Sequence, residues 1–120
     1  MPSYGYRRGG ERRRTARVIM SVPLRVDGET FAGEKFTVKT TTHTISQHGC
    51  MFVLEQDVML DQALVLMHEY TRQSIQSRVV STRRHRDGKR YVAVEFIPSS
   101  ANFWRMSFSK PGARSLKRLS

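Results

Sequence analysis

The residues best suited to binding chemistry are arginines near the start of the chain. Four of them fall within a six-residue stretch: Arg12, Arg13, Arg14 and Arg17. A guanidinium group stays charged, binds phosphate through paired hydrogen bonds and stacks on flat rings. The cluster therefore suits a planar, anionic ligand. The alternative interpretation is a solvated basic arm, or an arm that contacts nucleic acid, because a run of like charges alone indicates no more than that.

A second segment of interest runs from Thr44 to Gly49 and carries a hydroxyl at Ser46 and a glycine at its end. Taken alone, the segment is best explained as an ordinary strand end and turn. His48 stands close to Ser46 in sequence, but no carboxylate accompanies the pair to orient the ring, so we do not expect an enzyme.

Length and charge describe one small domain with basic ends. The chain has 120 residues and a net charge of +11. Residues 1–17 carry six arginines against one glutamate, residues 105–120 carry five basic side chains and no acid, and the part between them is nearly neutral. A dedicated nucleic-acid fold usually carries its charge on the folded face, so this distribution fits an arm that closes on an anionic ligand. It fits equally well two generic tails that touch RNA or a membrane weakly, and composition does not separate these alternatives. We predict a flexible segment at 1–10, one domain at 11–108 and a flexible basic tail at 109–120.

Cysteine usage and hydropathy indicate the compartment. The single cysteine, Cys50, cannot form an internal disulfide, which favours a reducing, cytoplasmic setting. Its place in an apolar run marks it as a core residue. No apolar run approaches the length of a membrane span, and the segment from Met1 to Gly10 lacks the apolar stretch of a secretory signal. The four histidines are too far apart in sequence to show a metal-binding spacing.

The hydrophobic pattern predicts an all-β domain. From Val18 to Val26, apolar residues recur with a period of two, and Pro23 indicates an edge or a bulge in this first strand. Five further strand patterns span residues 36–45, 50–54, 63–68, 72–84 and 91–96. The Asp87-Gly88 pair between the last two patterns is a strong hairpin signal. Six short strands joined by turns favour an antiparallel barrel or sandwich.

The segment after the last strand pattern breaks the alternation. Ser99 or Ser100 can cap a short helix, and Phe103, Trp104 and Met106 would give that helix an apolar face. We expect the helix to plug one mouth of the barrel, and we prefer this to the alternative in which its rings form a platform for base stacking.

Two motifs in this order and setting resemble the PilZ domain family, the bacterial receptors for cyclic di-GMP. They are R-x-x-x-R, formed by Arg13 and Arg17, and x-x-S-x-x-G, formed by Ser46 and Gly49. The resemblance extends over residues 11–108 and implies a six-stranded antiparallel β-barrel with a short C-terminal helix. It also implies that the two arginines pair with phosphate and lie against guanine faces, and that the serine contacts a phosphate or a base edge. In the same way it implies that Gly49, which has no Cβ, lets the ligand approach the backbone closely.

The chain departs from the family at the first position of the second motif. The family usually has Asp or Asn there, and this chain has Thr44. A hydroxyl accepts from a guanine edge less well than a carboxylate does, and losing one charge-assisted hydrogen bond weakens binding by roughly ten- to a hundredfold. Arg12 and Arg14 flank the first motif, and either could add a contact to the ligand.

Three functional hypotheses follow from these residues. The first is a receptor that binds cyclic di-GMP, without a cofactor, and acts on an unidentified protein partner. The second is a degenerate PilZ-like domain that works as a protein-interaction module and no longer binds nucleotide. The third is a small RNA- or DNA-binding barrel, against which the near-neutral middle and the lack of an aromatic stripe on the strands both count. We expect the first, with no specific nucleic-acid partner.

Overall fold

The computed structural model describes residues 17–98 and 101–106, and these residues form an all-β barrel. Seven strands lie within them: β1 (Val18–Ile19), β2 (Pro23–Glu29), β3 (Lys35–Ser46), β4 (Gly49–Val53), β5 (Ala63–His68), β6 (Ser74–Arg84) and β7 (Arg90–Phe96). Six of them follow the order β3-β2-β5-β6-β7-β4, and pairing of β3 with β4 closes the barrel. All these pairs are antiparallel, so the predicted six-stranded antiparallel β-barrel is confirmed.

The barrel closes around the side chains that alternate inward along each strand. On β7, Val92, Val94 and Phe96 are buried, whereas Glu95 between them is exposed, as the period-two pattern predicts. The buried apolar side chains form one cluster: Val22, Leu24, Val26, Ile45, Cys50, Phe52, Leu54, Leu64, Leu66, Val79, Val92, Val94, Phe96, Phe103 and Trp104. Removal of this apolar surface from water is the main favourable term in folding the barrel.

The predicted first strand is divided in two, and the break lies just before Pro23. Strand β1 pairs with the end of β3, β2 pairs with its beginning, and residues 20–22 belong to neither strand. The buried side chain of Thr42 bridges the gap. Its Oγ1 donates to the Met20 carbonyl at 2.6 Å and accepts from the Val22 N–H at 2.8 Å. The Met20 carbonyl and the Val22 N–H, which have no partner in the interrupted strand pairing, are satisfied by these bonds.

The predicted C-terminal helix is not confirmed within the described residues. The segment forms a single 3-10 turn at Ala101–Phe103, and Arg105 has a positive φ of 60°, a conformation that cannot continue a right-handed helix. Phe103 and Trp104 are nevertheless buried, and both rings pack against Phe96, with centroids 5.3 and 5.7 Å away. Tertiary packing of the two aromatic rings thus covers the barrel interior without a regular helix.

His68, at the end of β5, is buried against these aromatic rings. Its Nδ1 accepts backbone N–H bonds from Tyr70 at 3.2 Å and Thr71 at 3.4 Å, and its ring centroid lies 6.2 Å from that of Trp104. Burial first, and the positive charge of Arg105 second, lower the pKa of His68. An accepting Nδ1 in apolar surroundings fits the neutral ring.

We expect the stability of the domain to fall as the pH drops below 6.5, the ordinary pKa of histidine. The unfolded chain takes up a proton on His68 that the folded domain resists, so the free energy of unfolding decreases with pH until the folded ring is protonated. Thermal midpoints measured between about pH 8 and pH 5 test this. A His68→Gln variant keeps a hydrogen-bond acceptor and should show a flatter profile; an equally steep profile in both proteins would contradict the assignment.

Candidate ligand-binding site

A groove of about 370 Å³ on the barrel wall brings Arg17 of the first motif together with Ser46 and Gly49 of the second. We call it the motif groove. Its lining residues are Arg17, Thr44, Ile45, Ser46, His48, Gly49, Cys50, Met51, Val80, Ala93, Val94 and Glu95. Four residues predicted from the sequence, Arg17, Thr44, Ser46 and Gly49, therefore share one surface. The predicted contacts of residues 12–14 lie outside the described residues.

The short strand β1 carries Arg17 to the groove. In its antiparallel pairing with β3, Val18 lies opposite Ile45 and Ile19 lies opposite Thr44. The next step of this register places Arg17 at the level of Ser46. The pairing of Val18 and Ile19 with β3 therefore places Arg17, the last residue of the arginine cluster, beside the segment from Thr44 to Gly49. The two motifs are far apart in sequence.

The turn between β3 and β4 is held by hydrogen bonds from three parts of the chain. Within the turn, Ser46 Oγ accepts the His48 N–H at 3.2 Å. From β7, the Phe96 N–H donates to the His48 carbonyl at 2.7 Å. From the C-terminal segment, Trp104 Nε1 donates to the Ser46 carbonyl at 2.7 Å. The serine and its neighbours therefore stand on a fixed frame, which lowers the entropy cost of binding a ligand there.

Gly49 is required by the pairing of β4 with β7. A Cβ built on Gly49 would overlap the carbonyl oxygen of Val94 and would stand 3.1 Å from the Cα of Glu95. Both are backbone atoms of the neighbouring strand, which cannot move aside as a side chain can. Close approach of a ligand to this glycine, which the family resemblance implies, stays a prediction. The pairing of β4 with β7 is a second reason for glycine at this position.

The groove also has an apolar floor, which the two sequence motifs do not include. Met51, Val80 and Ala93 lie on three different strands and line the groove together. Val80 sits where the register of β6 against β7 shifts between Val79 and Ser81, and it is 45% exposed. Such a bulge turns a side chain that regular pairing would direct elsewhere. No local signal could have revealed the floor, because it depends on which strands become neighbours.

Glu95 places a carboxylate at the edge of the motif groove. Its Oε1 accepts from Arg78 Nη2 at 2.9 Å, and Arg78 Nη1 also contacts Asp61 Oδ1 at 3.2 Å. All three side chains are about half exposed or more, so these ion pairs contribute little to stability. Their effect is local: the arginine offsets a negative charge that would otherwise repel an anionic ligand.

The groove has the chemistry of a binding site for a ring-bearing anion. Arg17 supplies a positive charge, Ser46 a hydroxyl and the floor an apolar surface for a flat ring. Burial raises the pKa of the Cys50 thiol, so this groove-lining cysteine stays protonated and is a poor nucleophile. Across residues 17–98 and 101–106, no three His, Cys, Asp or Glu side chains converge on a point where they could hold a metal ion.

The comparisons with known proteins agree with this geometry. A family model of the PilZ domain matches residues 11–106, and the chain belongs to the PilZ domain family, a family of cyclic di-GMP receptors. No curated protein matches the sequence. Among solved structures, the chain is similar to the Bacillus subtilis inhibitor of motility (MotI/DgrA), with a TM-score of 0.61 at 16% identity.

The match to that structure shows a shared fold. It covers 74% of this chain and 44% of the Bacillus protein, so this chain spans less than half the length of that relative. PilZ domains are binding domains, and their chemistry is recognition of a ligand. No helix in the described part of this chain is long and apolar enough to cross a membrane.

Proposed function

We propose that this chain is a cyclic di-GMP receptor that binds the nucleotide in the motif groove and closes its arginine arm over it. The observation that carries the proposal is the convergence of Arg17, Thr44, Ser46 and Gly49 in one groove of about 370 Å³. Membership of the PilZ family supports the choice of ligand. A cytoplasmic location and a protein partner that responds to the bound state belong to the same proposal.

The charge of the groove explains why the arm is needed. Arg17 and Glu95 are its charged described residues, and Arg78 offsets the charge of Glu95, so the groove alone offers one positive charge to a ligand that has two phosphates. Arg13 lies four residues before Arg17 and can reach across roughly 13 Å of ligand when the chain is extended. Arg12 and Arg14 add further positive charge beside it. The arm therefore supplies the attraction for the phosphates, while the apolar floor accommodates a guanine.

Closure of the arm over the ligand would change the surface of the receptor, and we propose that this change is the signal. The bound phosphates hold charged side chains from residues 12–17 against the barrel, which is a change of surface that a protein partner can read. The same arrangement makes the affinity depend on salt, because the contacts are between exposed charges.

Calorimetric titration with cyclic di-GMP tests the proposed function, with GMP as the control ligand. We expect saturable binding of cyclic di-GMP and much weaker binding of GMP, which offers one phosphate and one guanine. Absence of binding for the cyclic dinucleotide at low salt would contradict the receptor assignment.

The second candidate is a degenerate PilZ domain that acts through protein contacts alone. The observation that favours it is Thr44, which lines the groove where the family usually presents a carboxylate or an amide. If the groove is otherwise competent, one substitution should supply the missing acceptor. If several features are degenerate, one substitution should restore nothing.

The Thr44→Asp variant separates the two candidates. We expect it to tighten binding of cyclic di-GMP by up to about tenfold, the gain from one charge-assisted hydrogen bond. A Thr44→Val variant of similar shape controls for packing and should bind no better than the wild type. Both are titrated beside the wild type at one fixed salt concentration. No binding in any of the three proteins would favour the interaction module.

A further inference from the structure

The β5 side of strand β6 is covered along only part of its length. Strand β5 pairs with β6 only as far as Arg78, and the loop before β5 continues this contact at Val79, whose N–H donates to the Gln62 carbonyl at 2.9 Å. On the other side, β7 pairs with β6 as far as Arg84. Among the strands that the structure describes, residues 80–84 therefore have a neighbour on the β7 side alone, and all five are exposed. We call residues 80–84 the free edge.

The backbone groups that point outward from the free edge belong to Thr82 and Arg84. Hydrogen-bonded and non-hydrogen-bonded pairs alternate along an antiparallel ladder. The Arg90 carbonyl accepts the Leu54 N–H at 3.0 Å, on the β4 side, so Arg90 and Arg84 opposite it form a non-hydrogen-bonded pair. The N–H and C=O groups of Arg84, and of Thr82 two residues earlier, therefore point away from β7. Backbone groups in this spacing are a template on which an extended chain can add as another strand.

Two arginines near the free edge have no carboxylate partner in the part of the chain that the structure describes. Arg83 lies within the free edge and Arg86 lies in the turn that follows it, and both side chains are exposed. Neither makes an ion pair with a described carboxylate. In the same turn, the charges of Lys89 and Asp87 offset each other. The end of the free edge near the turn is therefore positively charged.

The neighbouring ion pairs limit this positive charge to one end of the free edge. Arg84 lies 3.5 Å from Glu55, so its charge is offset in part. Just before the free edge, Arg78 is shared by two carboxylates, those of Asp61 at 3.2 Å and Glu95 at 2.9 Å. An occupant of the free edge therefore meets uncompensated positive charge only beside the β6–β7 turn.

Backbone and charge together decide which occupant fits. A second copy of this chain would bring its own Arg83 and Arg84 to the edge, and charged side chains on an exposed edge oppose such pairing. A nucleic acid could bind the guanidinium groups, but it has no peptide groups with which to continue the ladder. An extended acidic polypeptide satisfies both, because it offers main-chain hydrogen bonds to the strand and carboxylates to the arginines.

We propose that the free edge is a docking site for an extended acidic segment of a partner protein, which adds to β6 as another strand. Its backbone bonds to Thr82 and Arg84, and its carboxylates lie near Arg83 and Arg86. The site adjoins the motif groove, because Val80 begins the free edge and also lines that groove. This inference does not depend on nucleotide binding, and it can hold or fail whatever the ligand of the motif groove is.

Selection from a library of random short peptides tests the proposal with the full-length chain. The control protein is Thr82→Pro, which removes one outward N–H of the free edge and keeps every charge, including those of the basic ends. Proline is tolerated where the N–H takes no part in the ladder, and circular dichroism checks that the variant is folded. We expect the peptides that bind the wild type but not the variant to be rich in aspartate and glutamate. Absence of any such peptide would overturn the proposal.

Hydrogen exchange locates a selected peptide on the protein. We expect the amide protons of Thr82 and Arg84 to exchange more slowly when the peptide is bound, and the amide of Gly33, in the β2–β3 turn, to be unchanged. The charge reversal Arg83→Glu should weaken binding of the same peptide by about tenfold or more, the loss of one charge-assisted contact. Slowed exchange only outside the free edge, or equal binding to Arg83→Glu, would overturn the proposal. Binding of oligothymidylate in place of any peptide would overturn it in favour of nucleic-acid contact.

Discussion

Replacing Gly49 with alanine should lower the thermal midpoint of the domain by roughly 10–20 °C, which corresponds to about 3 kcal/mol. The added methyl group would overlap the carbonyl oxygen of Val94 on the neighbouring strand. Because the obstacle is backbone, β4 and β7 would have to separate at this point of the barrel wall. Thermal unfolding followed by far-UV circular dichroism measures the effect.

Gly28 provides the matched control for this prediction. A Cβ on Gly28 would meet the side-chain ends of Leu64 and Phe36, the latter at 3.1 Å. Such atoms can shift by a rotamer change, so Gly28→Ala should cost less than Gly49→Ala. Equal melting of the two variants would show that the close approach of β4 to β7 is not what requires the glycine.

The largest expected effect on ligand binding comes from the arginine arm. Arg13→Ala and Arg17→Ala should each weaken the binding of cyclic di-GMP by at least about tenfold, the loss expected for one charge-assisted contact. The thermal midpoint should stay unchanged for Arg17→Ala, because Arg17 is exposed and precedes the first strand. Calorimetric titration and thermal unfolding of the same preparations measure both quantities.

An exposed arginine far along the chain separates specific contacts from net charge. Arg86 lies in the β6–β7 turn and does not line the motif groove. Arg86→Ala removes the same charge and should leave the affinity nearly unchanged. Unaltered affinity in both arm variants would rule out the proposed site, and an equal loss in all three would indicate general electrostatic attraction.

The sequence predicted the barrel well where local pattern decides the structure. The strand predicted at 63–68 agrees with β5 residue for residue, and the last predicted strand begins one residue after β7 does. Alternation succeeds there because each strand buries one face. It predicted one first strand with an irregularity at Pro23, whereas the structure has two strands, and the buried hydroxyl of Thr42 bonds the backbone between them. The C-terminal helix is not confirmed in the described residues, where Phe103 and Trp104 pack as rings on the barrel.

Only the motif residues of the candidate site could be predicted from the sequence. Arg17 could be chosen from the arginine cluster, and Ser46 and Gly49 through the resemblance to the PilZ family; the structure brings the three together. Val80 and Glu95 could not be chosen, since their place in the groove depends on strand pairing that no local pattern contains. The steric reason for glycine at position 49 could not be predicted either, because the backbone atoms of Val94 and Glu95 that a Cβ would meet lie far along the chain.

The hydrogen bond from Trp104 to the Ser46 carbonyl also gives the protein an optical reporter of its own. Trp104 is the single tryptophan of the chain and is 5% exposed, so all of the indole emission comes from one buried position, which is hydrogen-bonded to the β3–β4 turn that lines the motif groove. Any event that shifts this turn alters the polarity around one fluorophore. Movement at the groove can therefore be followed in the native protein by its emission wavelength, without an added dye.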